Sequence, residues 1–209
     1  MTELDSINTL LSVIGEAPIS SFSDLQANEI TDSALAQRTL NEVNSDVQAE
    51  GFIWNTDNGV DIQPDAAGEY PLPGNLLRIT FAPSQYADCQ YVARGKRIWD
   101  RNKKTYKIAD PQNPQVITAD TVVSKLEWDE LPHQAQQYIT IRAARIYSDR
   151  FTLSTVIFTY TSQDEETARA QMIRGEESSL YNSLLWGNNR GMGQGLGYVP
   201  AQGRMYRRN

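Results

Sequence analysis

The chain has 209 residues, 40% of them hydrophobic and 22% charged, which is enough apolar material for a packed core and excludes wholesale disorder. No apolar run approaches the ~18 residues of a membrane span. The acidic opening Met1-Thr2-Glu3-Leu4-Asp5 also lacks the basic-then-apolar pattern of an export signal, so the expectation is a chain folded in a cytoplasm without membrane insertion.

The first helix is well signalled. Thr2 is a natural cap, and Asp5 three residues on completes a capping box. Leu4, Ile7, Leu11 and Ile14 follow the 3-4-3 spacing of one apolar face, and Gly15 and Pro18 stop the helix. After a loop to about Ala27, a second helix carries the stripe Ala36, Leu40, Val43 and Val47 and ends at Gly51. Phe52, Ile53 and Trp54 follow as an apolar anchor of the kind that plugs the core beneath a helix end.

From about Asn55 to Trp128, prolines and glycines punctuate short β-prone runs. The runs are 77–81, 90–93, 97–99, 105–108 and 122–126, several alternating apolar with polar as half-buried antiparallel strands do. Helix returns near Leu131 with Pro132 in its first turn. Ala135, Ile139, Ala143 and Ile146 make its stripe, and it runs to about Phe151. Val156-Ile157-Phe158 reads as a strand or a buried connection. A last helix is expected to start at Ser162, with Glu165 completing a capping box and Ala170, Ile173, Leu180 and Leu184 forming a weaker stripe. From Trp186 onward there are six glycines, four arginines and no acids, a composition that predicts a flexible tail.

The expected fold class is therefore α+β: a bundle of about four helices with an inserted small antiparallel β-sheet lobe and a flexible C-terminal tail. The expected divisions are an N-terminal helical part at 1–54, a β lobe at 55–128, a C-terminal helical part at 129–185 that packs on the first, and the Gly/Arg-rich tail at 186–209.

Charge is unevenly spread. Residues 1–90 hold 14 acids and 2 bases, giving −12; residues 91–209 hold 12 acids and 17 bases, giving +5. Either two faces are solvated differently, or copies meet acidic side to basic side in a head-to-tail ring. The densest basic feature runs from Arg94 to Lys107: Arg94, Lys96, Arg97, Arg101, Lys103, Lys104 and Lys107 against Asp100 alone, with Trp99 and Tyr106 between them. Gly95 and Asn102 suit turns, so one or two hairpins are expected. Such a segment fits a nucleic acid, an acidic protein surface including a sister subunit, or a solvated hairpin whose lysines deter edge pairing.

Residues for catalysis are sparse. One cysteine, Cys89, and one histidine, His133, cannot build a Cys/His zinc site or an internal disulfide. His133 falls in an exposed first helical turn, and no G-x-S-x-G elbow accompanies it. The glycine run 191–197 alternates after a helix and lacks G-K-S/T, so it matches neither phosphate-binding template. Asp129/Glu130 and Asp164/Glu165/Glu166 leave open a glycan-degrading enzyme using an Asp/Glu pair, although acids at helix starts already serve the dipole. No cofactor or metal is expected.

Several segments resemble one family. The stretch 4–18, Leu4 to Pro18, resembles the opening signature A-x-N-x-[IL]-L-x-x-I-G-E-x-P of the tail tubular protein A family of T7-like short-tailed bacteriophages. Leu40-Asn41-Glu42-Val43-Asn44 and then Gly51-Phe52-Ile53-Trp54-Asn55 are similar to its second helix and the x-G-W-x-F-N that follows. Asp129-Glu130-Leu131-Pro132 and Ala143-Ala144-Arg145-Ile146-Tyr147-Ser148-Asp149-Arg150-Phe151 are similar to its D-E-[ML]-P and K-A-[AS]-R-x-F-x-x-R-[FY]. Asp164-Glu165-Glu166 resembles the acidic start of its last helix. The matches stand in order from Leu4 to about Ser183. The anchor differs in detail, with Phe52 after Gly51 and Trp54 two residues on, and the Gly/Arg tail lies outside the signature.

The resemblance implies a structural virion protein rather than an enzyme. It implies a head-to-tail connector of about twelve copies between the portal protein and the nozzle of tail tubular protein B, with tail fibre protein attached near the lower joint. Such a ring continues the DNA ejection channel, meets DNA only in transit, and resides in the virion tail after assembly in the host bacterial cytoplasm. The family brings no catalytic or cofactor residues. Interface candidates are Arg94, Lys96, Arg97, Arg101, Lys103, Lys104 and Lys107, with Trp186, Arg204, Tyr206, Arg207 and Arg208 of the tail.

Overall fold

The computed structural model describes residues 1–22, 31–81, 90–110, 112, 115–151 and 155–186; side chains at 151, 155–161 and 179–186 are outside the description. Expectations for Cys89 and for 187–209 therefore lie outside the described residues, and Trp186 is placed by its backbone alone. The chain divides into two compact units, 1–176 and 177–209.

Four helices and two small antiparallel sheets make an α+β fold. Helix α1 spans Glu3–Ile14. The Thr2 side chain accepts from the Asp5 N–H, and the Asp5 carboxylate accepts in return from the Thr2 N–H at 3.0 Å. Gly15 closes the helix in the left-handed region, φ +83°. Helix α2 spans Asp32–Ala49, capped by the Thr31 hydroxyl, and its stripe Ala36, Leu40, Val43 and Val47 is fully buried.

Helix α3, His133–Phe151, is the central helix of the bundle. Beyond the apolar stripe it buries Gln136, Tyr138, Thr140, Tyr147 and Ser148. Gln136, Tyr138, Thr140 and Tyr147 each have a hydrogen-bond partner. The Thr140 hydroxyl donates to the Gln136 carbonyl at 2.7 Å, and the Gln136 amide donates to the Trp128 carbonyl at 2.8 Å. The Trp128 indole N–H then donates to the Met1 carbonyl at 3.1 Å, which ties the chain's first residue to this network. One core joins Ile7, Leu10, Leu40, Phe52, Trp128, Ile139 and Met172; truncating any one of its large aliphatic members to Ala costs about 2–5 kcal/mol.

Between α2 and α3 the chain builds the sheets. Strands β1 (Thr56–Ile62), β2 (Leu76–Thr80) and β5 (Ile117–Ser124) form an antiparallel sheet in the order β1-β5-β2, while β3 (Tyr91–Arg94) and β4 (Arg97–Asp100) form a hairpin. A second core of Ile62, Tyr70, Leu72, Ile98, Ile117, Ala119 and Val122 lies within this β region. A short 3-10 turn, Ile53–Asn55, leads into β1, and Phe52 stacks on Trp54 with centroids 5.3 Å apart against the core under the helix end. Ile53, expected to share this anchor, is instead 46% exposed, because the turn directs it away from the two stacked rings.

Three local expectations are corrected. The run 105–108 is not a strand: only Thr105 bridges, to Asp100, because the chain leaves the hairpin there. Strand β1 went unforeseen because Thr56-Asp57-Asn58-Gly59-Val60-Asp61 has low strand propensity; its pairing to β5 supplies what the local sequence does not. Helix α4 spans Thr155–Trp186, so Val156-Ile157-Phe158 is helical and Ser162 is an interior residue, not a cap. Among the described side chains of α4, Ala168 and Met172 are buried and Ala170 and Ile173 half-buried, while Leu180 and Leu184 of the expected stripe lie outside the described side chains.

Candidate functional site

The basic segment is a hairpin with a second turn at its far end. Gly95 and Lys96 form the two-residue loop between β3 and β4, since Arg94 pairs with Arg97. Gly95 has φ +65°, the positive value a II′-type hairpin turn requires at its first loop position. Beyond β4, Asp100 organises Arg101–Lys104. Its Oδ1 accepts from the N–H groups of Asn102 at 2.8 Å and Lys103 at 3.0 Å, and its own N–H donates to the Thr105 carbonyl. Lys104 then takes the left-handed conformation, φ +53°.

Asp100 is fully buried, and its Oδ2 has no hydrogen-bond partner among the described residues. A buried carboxylate thus lies under a turn of exposed cations, Arg101, Lys103 and Lys104. The arrangement presents charge while its backbone is fixed from below.

The seven basic candidates are not equivalent. Arg97 forms an ion pair with Glu69, so its charge is met within the subunit. Arg94 lies over the Trp99 ring, 5.0 Å from its centroid, and Tyr106 meets Trp99 edge-on at 4.5 Å. Both aromatics are thereby packed against the subunit's own side chains rather than splayed as stacking platforms. Lys96, Arg101, Lys103, Lys104 and Lys107 are exposed, with no ion pair among the described residues. The β4 strand separates the turn at Gly95-Lys96 from that at 101–104 by about 10–13 Å. Tail candidates Arg204, Tyr206, Arg207 and Arg208 lie outside the described residues.

An acidic counterpart occurs in the same lobe. Asp57 pairs opposite Val122 and Asp61 opposite Thr118, so strand alternation puts Asp57, Asp61 and Asp120 on one sheet face. All three are exposed, and none has an ion pair among the described residues. Asp61 accepts only from the Thr118 hydroxyl, at 2.7 Å.

An ionic network outside the sequence-predicted candidates joins the end of α2 to α3 and α4. Arg145 pairs with Glu165 and, at 3.2 Å, with Asp149; Arg142 meets Glu165 at 3.7 Å and Glu50 at 3.6 Å; Arg169 meets Glu50 at 2.8 Å. Arg142 and Arg169 also donate to the Tyr138 hydroxyl and lie over its ring. The Arg169 guanidinium is pushed above its ordinary pKa, chiefly by its hydrogen bonds to Glu50 and Tyr138. Spacing would have offered a signal: Arg142, Arg145 and Asp149 fall on neighbouring turns of one helix, with Glu165 and Arg169 four apart on the next. Glu165, a carboxylate considered for glycan cleavage, is committed here to two arginines.

Among the described residues, no three His, Cys, Asp or Glu side chains converge as a metal site, and no helix is long and apolar enough to cross a membrane. The geometry provides two exposed surfaces of opposite charge in the β lobe. Among curated proteins, no significant match to the chain is found. The family model of the tail tubular protein matches residues 4–180, through the capped first helix, the β lobe and the ionic network of α4. The chain belongs to the tail tubular protein family and is a structural component of a phage tail.

Proposed function

We propose that copies of this chain form a ring between the portal and the nozzle, with about twelve subunits, that continues the channel for DNA and supports attachment of tail fibres. Contacts to the portal protein and to tail tubular protein B then close the two ends of the ring. The observation that carries the reading is one of charge. The free cations of the 101–104 turn and the free carboxylates of Asp57, Asp61 and Asp120 both lie in the β lobe, and neither set is neutralised within the described residues. Opposite surfaces left unpaired on one subunit suit a heterologous, head-to-tail contact that closes on itself. A net charge of −7 per copy also suits a channel through which DNA passes, because each neutralised phosphate would add affinity and retard transit.

The test is charge reversal at the turn. Lys103→Glu with Lys104→Glu weakens assembly onto the portal by about tenfold or more, an effect of the size expected for like charges facing across a seam. The subunit's melting temperature stays unchanged, because both side chains are exposed. Unchanged assembly would remove this turn from the seam.

A further inference from the structure

The helical part has an open cleft that the charged seam leaves unused. It lies between α1, α3 and α4, with a volume of about 370 Å³. Val13, Ile141, Ala144 and Ala168 supply apolar walls, and Asp164 and Gln171 stand among the lining residues. Val13 is 43% exposed, so its side chain is open to an occupant of the cleft. Arg145 also lines the cleft, but Glu165 and Asp149 already meet its charge. The carboxylate of Asp164 is exposed and has no ion pair among the described residues, so the cleft pairs an apolar interior with a free negative charge.

One segment of the chain has the matching composition. Residues 187–209 hold four arginines, no acids, and the side chains of Leu196, Tyr198, Val199, Met205 and Tyr206. Arg204-Met205-Tyr206-Arg207-Arg208 is the point where an aromatic and a long aliphatic side chain are flanked on both sides by cations. These 23 residues reach up to about 75 Å when extended, at about 3.3 Å per residue, which is ample to cross to an adjacent subunit. A cleft of this size takes one or two such side chains.

We propose that Met205-Tyr206 of one copy seats in the α1–α3–α4 cleft of a second copy, with the flanking arginines meeting Asp164. The inference rests on the ring reading and names a second contact in it. The tail then acts as a strap from subunit to subunit, separate from the charged turn.

The experiment uses the full chain assembled on portal rings. An unlabelled copy carrying a photo-crosslinking phenylalanine analogue at position 206 is mixed with isotope-labelled wild-type chain. Expected are cross-links from position 206 to labelled peptides containing Val13, Ile141 or Gln171. Val13→Arg lowers their yield about tenfold by placing a cation in the cleft, while Ile53→Arg, at another exposed apolar site, leaves it unchanged. Rings that assemble but cross-link elsewhere, or only within the unlabelled copy, would overturn the strap and leave the ring intact. Failure to assemble at all would overturn the ring and the strap with it.

Discussion

The side-chain amide of Gln48 bonds both backbone groups of Leu126: its Oε1 accepts from the Leu126 N–H at 2.7 Å, and its Nε2 donates to the Leu126 carbonyl at 3.1 Å. The same Nε2 donates to Asn44 Oδ1 at 2.8 Å. Asn55 completes the joint by donating to the carbonyls of Gln48 at 2.8 Å and Ser124 at 3.1 Å. Two fully or nearly buried amides thus fasten the end of α2 to the chain leaving β5. This joint connects the helical bundle to the lobe that carries both charged surfaces.

Gln48→Ala should lower stability by about 2–4 kcal/mol, because it empties a buried site and leaves both Leu126 groups unpaired. Urea unfolding checks this, with a lower midpoint and an unchanged slope. A loss under about 0.5 kcal/mol, the size of an ordinary surface substitution, would show that the joint contributes nothing particular.

Gly51 and Gly95 make a matched pair. Both have positive φ, +81° and +65°, so each resists a side chain by about 1–2 kcal/mol. A Cβ at Gly51 would also press against the Arg78 guanidinium and stand 3.1 Å from Val123 Cγ2, whereas Gly95 opens to empty space. Gly51→Ala should therefore destabilise clearly more than Gly95→Ala in parallel thermal melts. Equal losses would mean that Arg78 swings aside freely.

Arg145 and Glu165 should show energetic coupling. Their side chains are about one-fifth exposed, so a double-mutant cycle with Arg145→Met and Glu165→Gln should give about 1–2 kcal/mol, smaller in 1 M salt where screening acts within about 3 Å. Strictly additive losses would remove this pair as a tie between α3 and α4.

Tyr147 sets an alkaline limit. Burial first, and then Asp32 and Glu16, push its phenol from an ordinary value near 10 up to about 12. Its hydroxyl donates to the Asp32 carbonyl at 2.8 Å. A pKa raised in the folded state gives a contribution intact below pH 10 and lost between about pH 10 and 12. Tyr147→Phe should flatten the stability profile across that window. Parallel profiles for the two chains would contradict the assignment.

The helices were legible where local chemistry and packing agree. Thr2 and Asp5 announce a capping box that the structure forms, and the α2 stripe is buried as spaced. Strand β1 and the start of α4 were obscured for opposite reasons. Asp57, Asn58 and Gly59 disfavour strand until β5 pairs with them, whereas Ser162 and Glu165 imitate a cap inside a helix that begins at Thr155. The basic hairpin was visible as composition. Its inequality was not, because the Glu69 that meets Arg97 is 28 residues away and the aromatic stack on Arg94 needs three dimensions.

The most direct test of the ring is sedimentation velocity of the purified chain, alone and mixed with portal protein from the same phage. The account predicts a shift of the chain into a large complex carrying about one copy per portal subunit. No shift at any ratio would contradict the adaptor reading.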